Sequence, residues 1–202
     1  MKRFPTRVLA ACALAAVLVV APPTARGSAE DAAEERAPAA APNVVQEGIL
    51  HNTVHGFRFP VPQGFELRAS STGDEIVLVV PDCDECILRV LVSPGNTDSL
   101  ETTARALKKQ VASEPNAQIL DEQKTKVVRE AAYTLVKEET VEPEAPKGSA
   151  APAGRPKRVL TRYVTFNRGE DKFYFVLREP SDRFGEGEDA FERLLAKLQF
   201  DS

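Results

Sequence analysis

Residues 74–93, DEIVLVVPDCDECILRVLVS, constrain the fold more than any other stretch of the chain. Ile76 to Val80 and Ile87 to Val92 are short, β-branched and Leu-rich runs. Each is too short for a helix and suits a pleated surface. Pro81-Asp82-Cys83-Asp84-Glu85-Cys86 separates them with hairpin punctuation. Near-continuous apolar strands belong in a sheet covered on both faces, so the pair is expected at the centre of that sheet.

Cys83 and Cys86 stand three residues apart. A turn brings such Cα atoms within about 7 Å, inside the range a disulfide tolerates. The closed loop is short, so the entropic gain is about 2 kcal/mol. A structural disulfide is the favoured reading, with a redox-active pair and a metal site as alternatives. Reactive thiols need cations or a helix N-terminus beside them. Here Asp82, Asp84 and Glu85 surround the sulfurs. Zinc would require two further ligands. His51 and His55 are the only histidines. On an extended segment they would stand about 13 Å apart, too far to share a metal. Solvent-facing or locally bonded histidines fit better than a Cys83, Cys86, His51, His55 site.

The chain opens with Lys2, Arg3 and Arg7, continues through an apolar Val8–Ala21 interrupted by Cys12, and reaches Pro22, Pro23 and small residues. This is the pattern of a secretory signal peptide. Cleavage is expected after Ala29, with Ala25 as the alternative, so residues 1–29 are removed. The apolar run falls short of the roughly 20 residues a membrane span needs. Leu9-Ala10-Ala11-Cys12 has the form of a lipoprotein box, but most of the apolar run lies behind the cysteine, so lipid anchoring at Cys12 is the minor alternative. An exported chain, periplasmic or extracellular, follows. Loss of residues 1–29 removes four basic residues and no acids, leaving 22 Lys and Arg against 30 Asp and Glu, a net charge of −8. That acidic balance gives no footprint for nucleic acid. The processed chain keeps Cys83 and Cys86 alone, an even pair in an oxidising compartment.

Residues 30–43, Ala-, Pro- and acid-rich, have too little apolar bulk to pack and are expected to be a disordered leader. One domain is expected over residues 44–202. Val54–Phe59 reads as a strand, and Phe65–Ala69 as a short edge strand. Asp98 is expected to cap a helix, with Glu101 in the capping box and Leu100, Ala104, Leu107 and Val111 as its apolar stripe. Gln118–Val128 and Ala131–Glu139 read as strands, with Tyr133, Leu135 and Val136 in the core. Residues 140–157 read as a flexible excursion, ending in the basic cluster Arg155, Lys157 and Arg158. Val159–Phe166 and the aromatic Lys172–Arg178 are further strands. The Gly185-x-Gly187 spacing is expected just before a helix, and its acids Glu186, Glu188 and Asp189 would repel phosphate. Phe191, Leu194, Leu195 and Leu198 then face the sheet, and Phe200 closes the core.

Gly56-Phe57-Arg58-Phe59-x-Val61-Pro62-Gln63-Gly64-Phe65, the Tyr133 strand, Lys172-Phe173-Tyr174-Phe175-Val176-Leu177 and Phe191-x-x-Leu194-Leu195-x-x-Leu198-x-Phe200 together resemble the PsbP-like family. Its members include secreted bacterial lipoprotein-like proteins and the extrinsic photosystem subunit. The resemblance covers most of the chain after Val54. It implies an α+β fold, an αβα sandwich with an antiparallel sheet between flanking helices, in a protein that binds or assembles other components. It carries over no catalytic residue and no cofactor. The Cys83/Cys86 turn and the 140–157 excursion depart from the family pattern.

No Gly-x-Ser-x-Gly, His-Glu-x-x-His or Walker loop occurs. The expectation is a non-enzymatic binding or assembly protein of the bacterial cell envelope with a protein partner. The alternative is a redox or metal-handling protein working through Cys83 and Cys86.

Overall fold

Lys172 to Arg178 sets Phe173, Phe175 and Leu177 on one side and Lys172, Tyr174, Val176 and Arg178 on the other, so both sides of this strand have something to bury. In the computed structural model, which describes residues 41–142 and 155–201, this strand is the middle of a seven-stranded antiparallel sheet. In chain order the strands are β1 (Asn43–Gln46), β2 (Ile49–Asn52), β3 (Phe57–Pro60), β4 (Glu66–Leu67), β5 (Glu75–Val80), β6 (Cys83–Ser93), β7 (Ala117–Val127), β8 (Glu130–Val141), β9 (Lys157–Arg168), β10 (Asp171–Pro180) and β11 (Gln199–Phe200). Helix α1 (Leu100–Ser113) follows β6, and α2 (Phe184–Ala196) follows β10. The large sheet runs β4-β5-β6-β10-β9-β8-β7, and β1-β2-β3-β11 form a second, four-stranded sheet. The fold is α+β with a helix on each face, as expected; the second sheet was not expected.

Register fixes which residues share a face. Phe173, Phe175 and Leu177 of β10 lie level with Val92, Val90 and Leu88 of β6, and the first two with Phe166 and Val164 of β9. These side chains are buried in one cluster with Phe57 and Phe59 of the small sheet and Phe191, Leu194 and Leu195 of α2. Six phenylalanines, Phe57, Phe59, Phe166, Phe173, Phe175 and Phe200, meet at centroid separations of 5.2 to 6.3 Å. Offset and edge-on aromatic pairs add about 0.5–1.5 kcal/mol beyond their burial. Arg162 of β9 ties α2 to this face by donating from Nη1 to Glu188 (2.9 Å) and from Nη2 to Glu192.

Several expectations need correction. The hairpin of β5 and β6 lies inside the sheet but off its centre, because the more aromatic β10 occupies the middle. Its turn is Pro81-Asp82 alone, and Cys83 and Cys86 belong to β6. Residues 53–56 form a turn, not strand; β3 starts at Phe57. Glu47 (φ 52°) and Gly48 (φ 75°) make a tight turn between β1 and β2, a hairpin that the composition around it concealed. Ser99, not Asp98, caps α1, its hydroxyl accepting from the Thr102 N–H at 3.1 Å. Helix α2 starts at Phe184, so Gly185 and Gly187 lie inside it rather than before it. Strands β8 and β9 pair out to Val141 and Lys157, which narrows the excursion; residues 143–154 lie outside the described residues. So do residues 1–40, with the expected signal peptide, Cys12 and most of the expected leader. No described helix is long and apolar enough to cross a membrane.

Candidate binding surface

The opposite face of the large sheet carries Tyr133, Leu135, Lys137 and Glu139 of β8, Thr161 and Tyr163 of β9, Tyr174, Val176 and Arg178 of β10, and Ile87, Arg89 and Leu91 of β6. One helix covers it. Val111, Leu107 and Ala104 of α1 pack on Tyr133, Leu135 and Tyr163, toward the β7–β8 side. Lys172, 0 % exposed, donates to the Asp98 carbonyl (2.7 Å) and the Thr103 hydroxyl (2.6 Å), which fixes the start of α1 over β10. A single helix is about 10–12 Å wide, whereas strands lie about 4.8 Å apart. It cannot cover seven strands. Two grooves remain.

The groove on the β6 side measures about 410 Å³. Ile87, Leu91, Val176, Tyr163 and Tyr174 form its floor, Leu107 and Gln110 its wall, and Arg89 and Arg178 its rim. Burial pushes the Tyr163 and Tyr174 phenols above their ordinary range. The Tyr163 hydroxyl meets Lys137 and the Tyr174 hydroxyl meets Thr103. The groove on the β7 side measures about 640 Å³ and lies between Leu100, Ala104 and Lys108 of α1 and Glu122, Lys124 and Tyr133. There Tyr133 donates to Glu122 at 2.8 Å, and Lys108 pairs with Glu122 at 3.0 Å.

The cysteines lie at the start of β6, just before Ile87. Val80 lies opposite Cys83 and Val79 opposite Ile87, so Asp84, Glu85 and Cys86 form a bulge in β6. Cys83 and Cys86 span it at a Cα separation of 5.3 Å, with their sulfurs at bonding distance. Cys86 is 0 % exposed. The bulge aims Glu85 at Arg178, which donates to it from Nε (3.1 Å) and Nη2 (3.0 Å). Arg178 also bonds Glu139, Glu139 accepts from Lys137 (2.9 Å), and Lys137 donates to Glu114 at the end of α1 (2.5 Å). Charges alternate along this chain. Burial opposes ionisation of Lys137, but its bonds to Glu114 and Glu139 outweigh it and hold the ammonium above its ordinary value. Burial likewise opposes ionisation of Glu139; Lys137 and Arg178 outweigh it and hold the carboxyl below the usual range. Each of these acids is paired with a cation.

The histidines are elsewhere. His55 Nε2 lies 2.7 Å from Asp74 and Nδ1 3.6 Å from Asp171, at the start of β10. The cysteines lie beside Ile87, opposite Arg178 near its end, about 25 Å along the strand. His51 points to the outer side of the small sheet, level with Val44 and Arg58. The four side chains do not converge. Among the described residues no cluster of three His, Cys, Asp or Glu side chains could hold a metal.

A site the sequence did not signal lies under α2. Glu179 of β10, 3 % exposed, turns its carboxyl against Gly187, and its Oε2 has no hydrogen-bond partner. A Cβ on Gly187 would stand 1.9 Å from that oxygen. The glycine is therefore there to admit the carboxyl, not to cradle a phosphate. Burial pushes Glu179 up to about 7, with Arg183 opposing and Glu186 adding to the rise.

This architecture is the PsbP-like fold. The chain is similar to the solution structure of cyanobacterial PsbP from Synechocystis, at 15 % identity over 76 % of this chain and 91 % of that one, with a TM-score of 0.51. It is also similar to the Saccharomyces cerevisiae Ran-binding protein Mog1p (11 % identity, 78 % and 95 % covered, TM-score 0.48). LpqN, a Mycobacterium tuberculosis protein involved in cell envelope biogenesis, matches at 15 % identity, with 78 % and 91 % covered and a TM-score of 0.46. No protein-family model and no curated protein matches the sequence. At these identities the likeness is one of fold.

Proposed function

We propose that the chain is an exported, non-enzymatic binding protein of the cell envelope, and that it holds a protein partner in the groove between α1 and β6. The observation that carries this reading is the groove itself. Its floor is aliphatic and aromatic, two tyrosines lie in it, and arginines stand at the rim. Tyrosine and arginine around an apolar centre are the side chains that dominate protein interfaces. The basic, apolar and small-residue segments of residues 1–29 support export. Cys83 and Cys86 are read as a structural clasp, since Cys86 is buried and acids flank both sulfurs.

The test is capture from the envelope extract of the source cell, using the wild-type chain and the Leu91→Ser and Tyr174→Ala variants. A protein held by the wild type and lost by both variants, with unchanged circular dichroism, is the expected result. Capture that is undiminished by both variants excludes the groove. Separately, a redox or metal-dependent activity that Cys83→Ser abolishes while the fold survives would overturn the non-enzymatic reading.

A further inference from the structure

The large sheet ends differently on its two sides. At one edge β4 is two residues long, too short to template another strand. At the other, β7 runs for eleven residues, and Gln118 to Lys126 are exposed without interruption. A long open edge carries unpaired N–H and C=O groups and accepts a further strand. Its sequence decides which strand. Asp121 and Glu122 precede Gln123, and Lys124 and Lys126 follow it. An antiparallel copy reverses that order and sets acid against base.

We infer that β7 pairs antiparallel with β7 of a second copy of this chain, about a two-fold axis at Gln123. The axis stands perpendicular to the sheet, and such an axis must place one residue opposite itself, because cross-strand neighbours share a face. Centring on Asp121, Glu122 or Lys124 opposes like charges at the axis. Centring on Thr125 opposes Lys124 to Lys126. Centring on Gln123 puts a neutral amide at the axis, Glu122 opposite Lys124 on both sides, and Asp121 opposite Thr125. Opposite charges across a strand pair stabilise it and like charges destabilise it. The existing contacts of these residues tolerate the arrangement. Lys124 meets Glu101 at 3.4 Å with both side chains exposed, and Glu122 is held by Lys108 and Tyr133 from the α1 side. The irregularity in β7 falls between Ile119 and Asp121, outside the central residues 121–125. A perpendicular two-fold preserves the faces of the sheet. Both α1 helices therefore stand on one side, and the two grooves of about 640 Å³ face each other across the seam.

Sedimentation velocity on the purified chain tests this. The wild type is expected to associate to a dimer as concentration rises to about 100 μM, with weakening at high salt. Lys124→Glu and Glu122→Lys should each weaken dimerisation by roughly tenfold or more, and the double exchange Glu122→Lys/Lys124→Glu should restore it. In a Cys12→Ser background, Gln123→Cys should cross-link to a covalent dimer on oxidation, since opposed Cα atoms lie about 4.5–5.5 Å apart. Lys126→Cys should not cross-link. A wild-type chain that stays monomeric at about 1 mM, a dimer indifferent to Lys124→Glu, or cross-linking at residue 126 in place of 123, overturns the proposal.

Discussion

The two faces of the large sheet are built to different ends. The α2 face is closed by a helix and a second sheet together, and its interior is phenylalanine, leucine and valine. The α1 face has one helix, a small cluster of Val111, Tyr133 and Leu135 beneath it, and a line of alternating charges beside it. Apolar burial at about 25 cal/mol per Å² puts most of the folding free energy on the first face. The second face is held in place by directional contacts and keeps apolar surface open. One face makes the fold; the other leaves apolar surface open.

The sharpest way to break that contrast is to cut into the closed face. Phe175→Ala removes a fully buried ring that touches Phe59 and Phe166. It should cost about 3–5 kcal/mol, read as a loss of denaturation midpoint. A cost below about 1 kcal/mol would mean that the closed face is not the core.

Gly187→Ala comes next. The new methyl would collide with the Glu179 carboxyl, and a loss of about 1–3 kcal/mol is expected. The double variant Gly187→Ala/Glu179→Ala should recover part of it, as coupled neighbours do.

Glu179 adds a pH dependence. Its folded-state value, about 7, lies above the ordinary 4.5, so the folded chain binds the proton more tightly than the unfolded one. Its favourable contribution is complete below about pH 4.5 and is lost as pH rises through about 7. Glu179→Gln should therefore be more stable than wild type by about 1–3 kcal/mol at pH 8, with the gap closing toward pH 4. Chemical denaturation at both pH values measures this. A constant gap across that range would show that the carboxyl does not titrate there.

The smallest effect belongs to the open face. Leu91→Ser should change stability by less than about 1 kcal/mol, because Leu91 already meets solvent in the groove. A core-sized loss there would place Leu91 in a closed interior and remove the contrast between the faces.

Much of the closed face was legible in the sequence. The alternation of β10, the stripe of α2 and the terminal Phe200 each name a face without help from the rest of the chain. Period and side-chain size carry that information locally. The β1–β2 hairpin was not legible, because its turn depends on Glu47 and Gly48 taking positive φ directly after an Ala- and Pro-rich leader. The cap of α1 missed by one residue, since Asp98 and Ser99 are both good caps and the Thr102 N–H alone separates them. The groove left no local mark. It exists because α1 sits toward β7 and β8, and the position of a helix across a sheet comes from distant contacts such as Lys172 with Asp98. Gly187 was read against a phosphate loop, whereas its neighbour is a carboxyl from the strand before it.

The pairing of β11 with β3 joins Phe200 to Phe57 and Gln199 to Arg58. Strand β3 therefore keeps an open edge until nearly the whole domain is free to fold. Contacts so far apart in sequence form late and slowly. During that interval Phe57 and Phe59 stand on a half-built layer whose last edge closes only when residue 200 arrives.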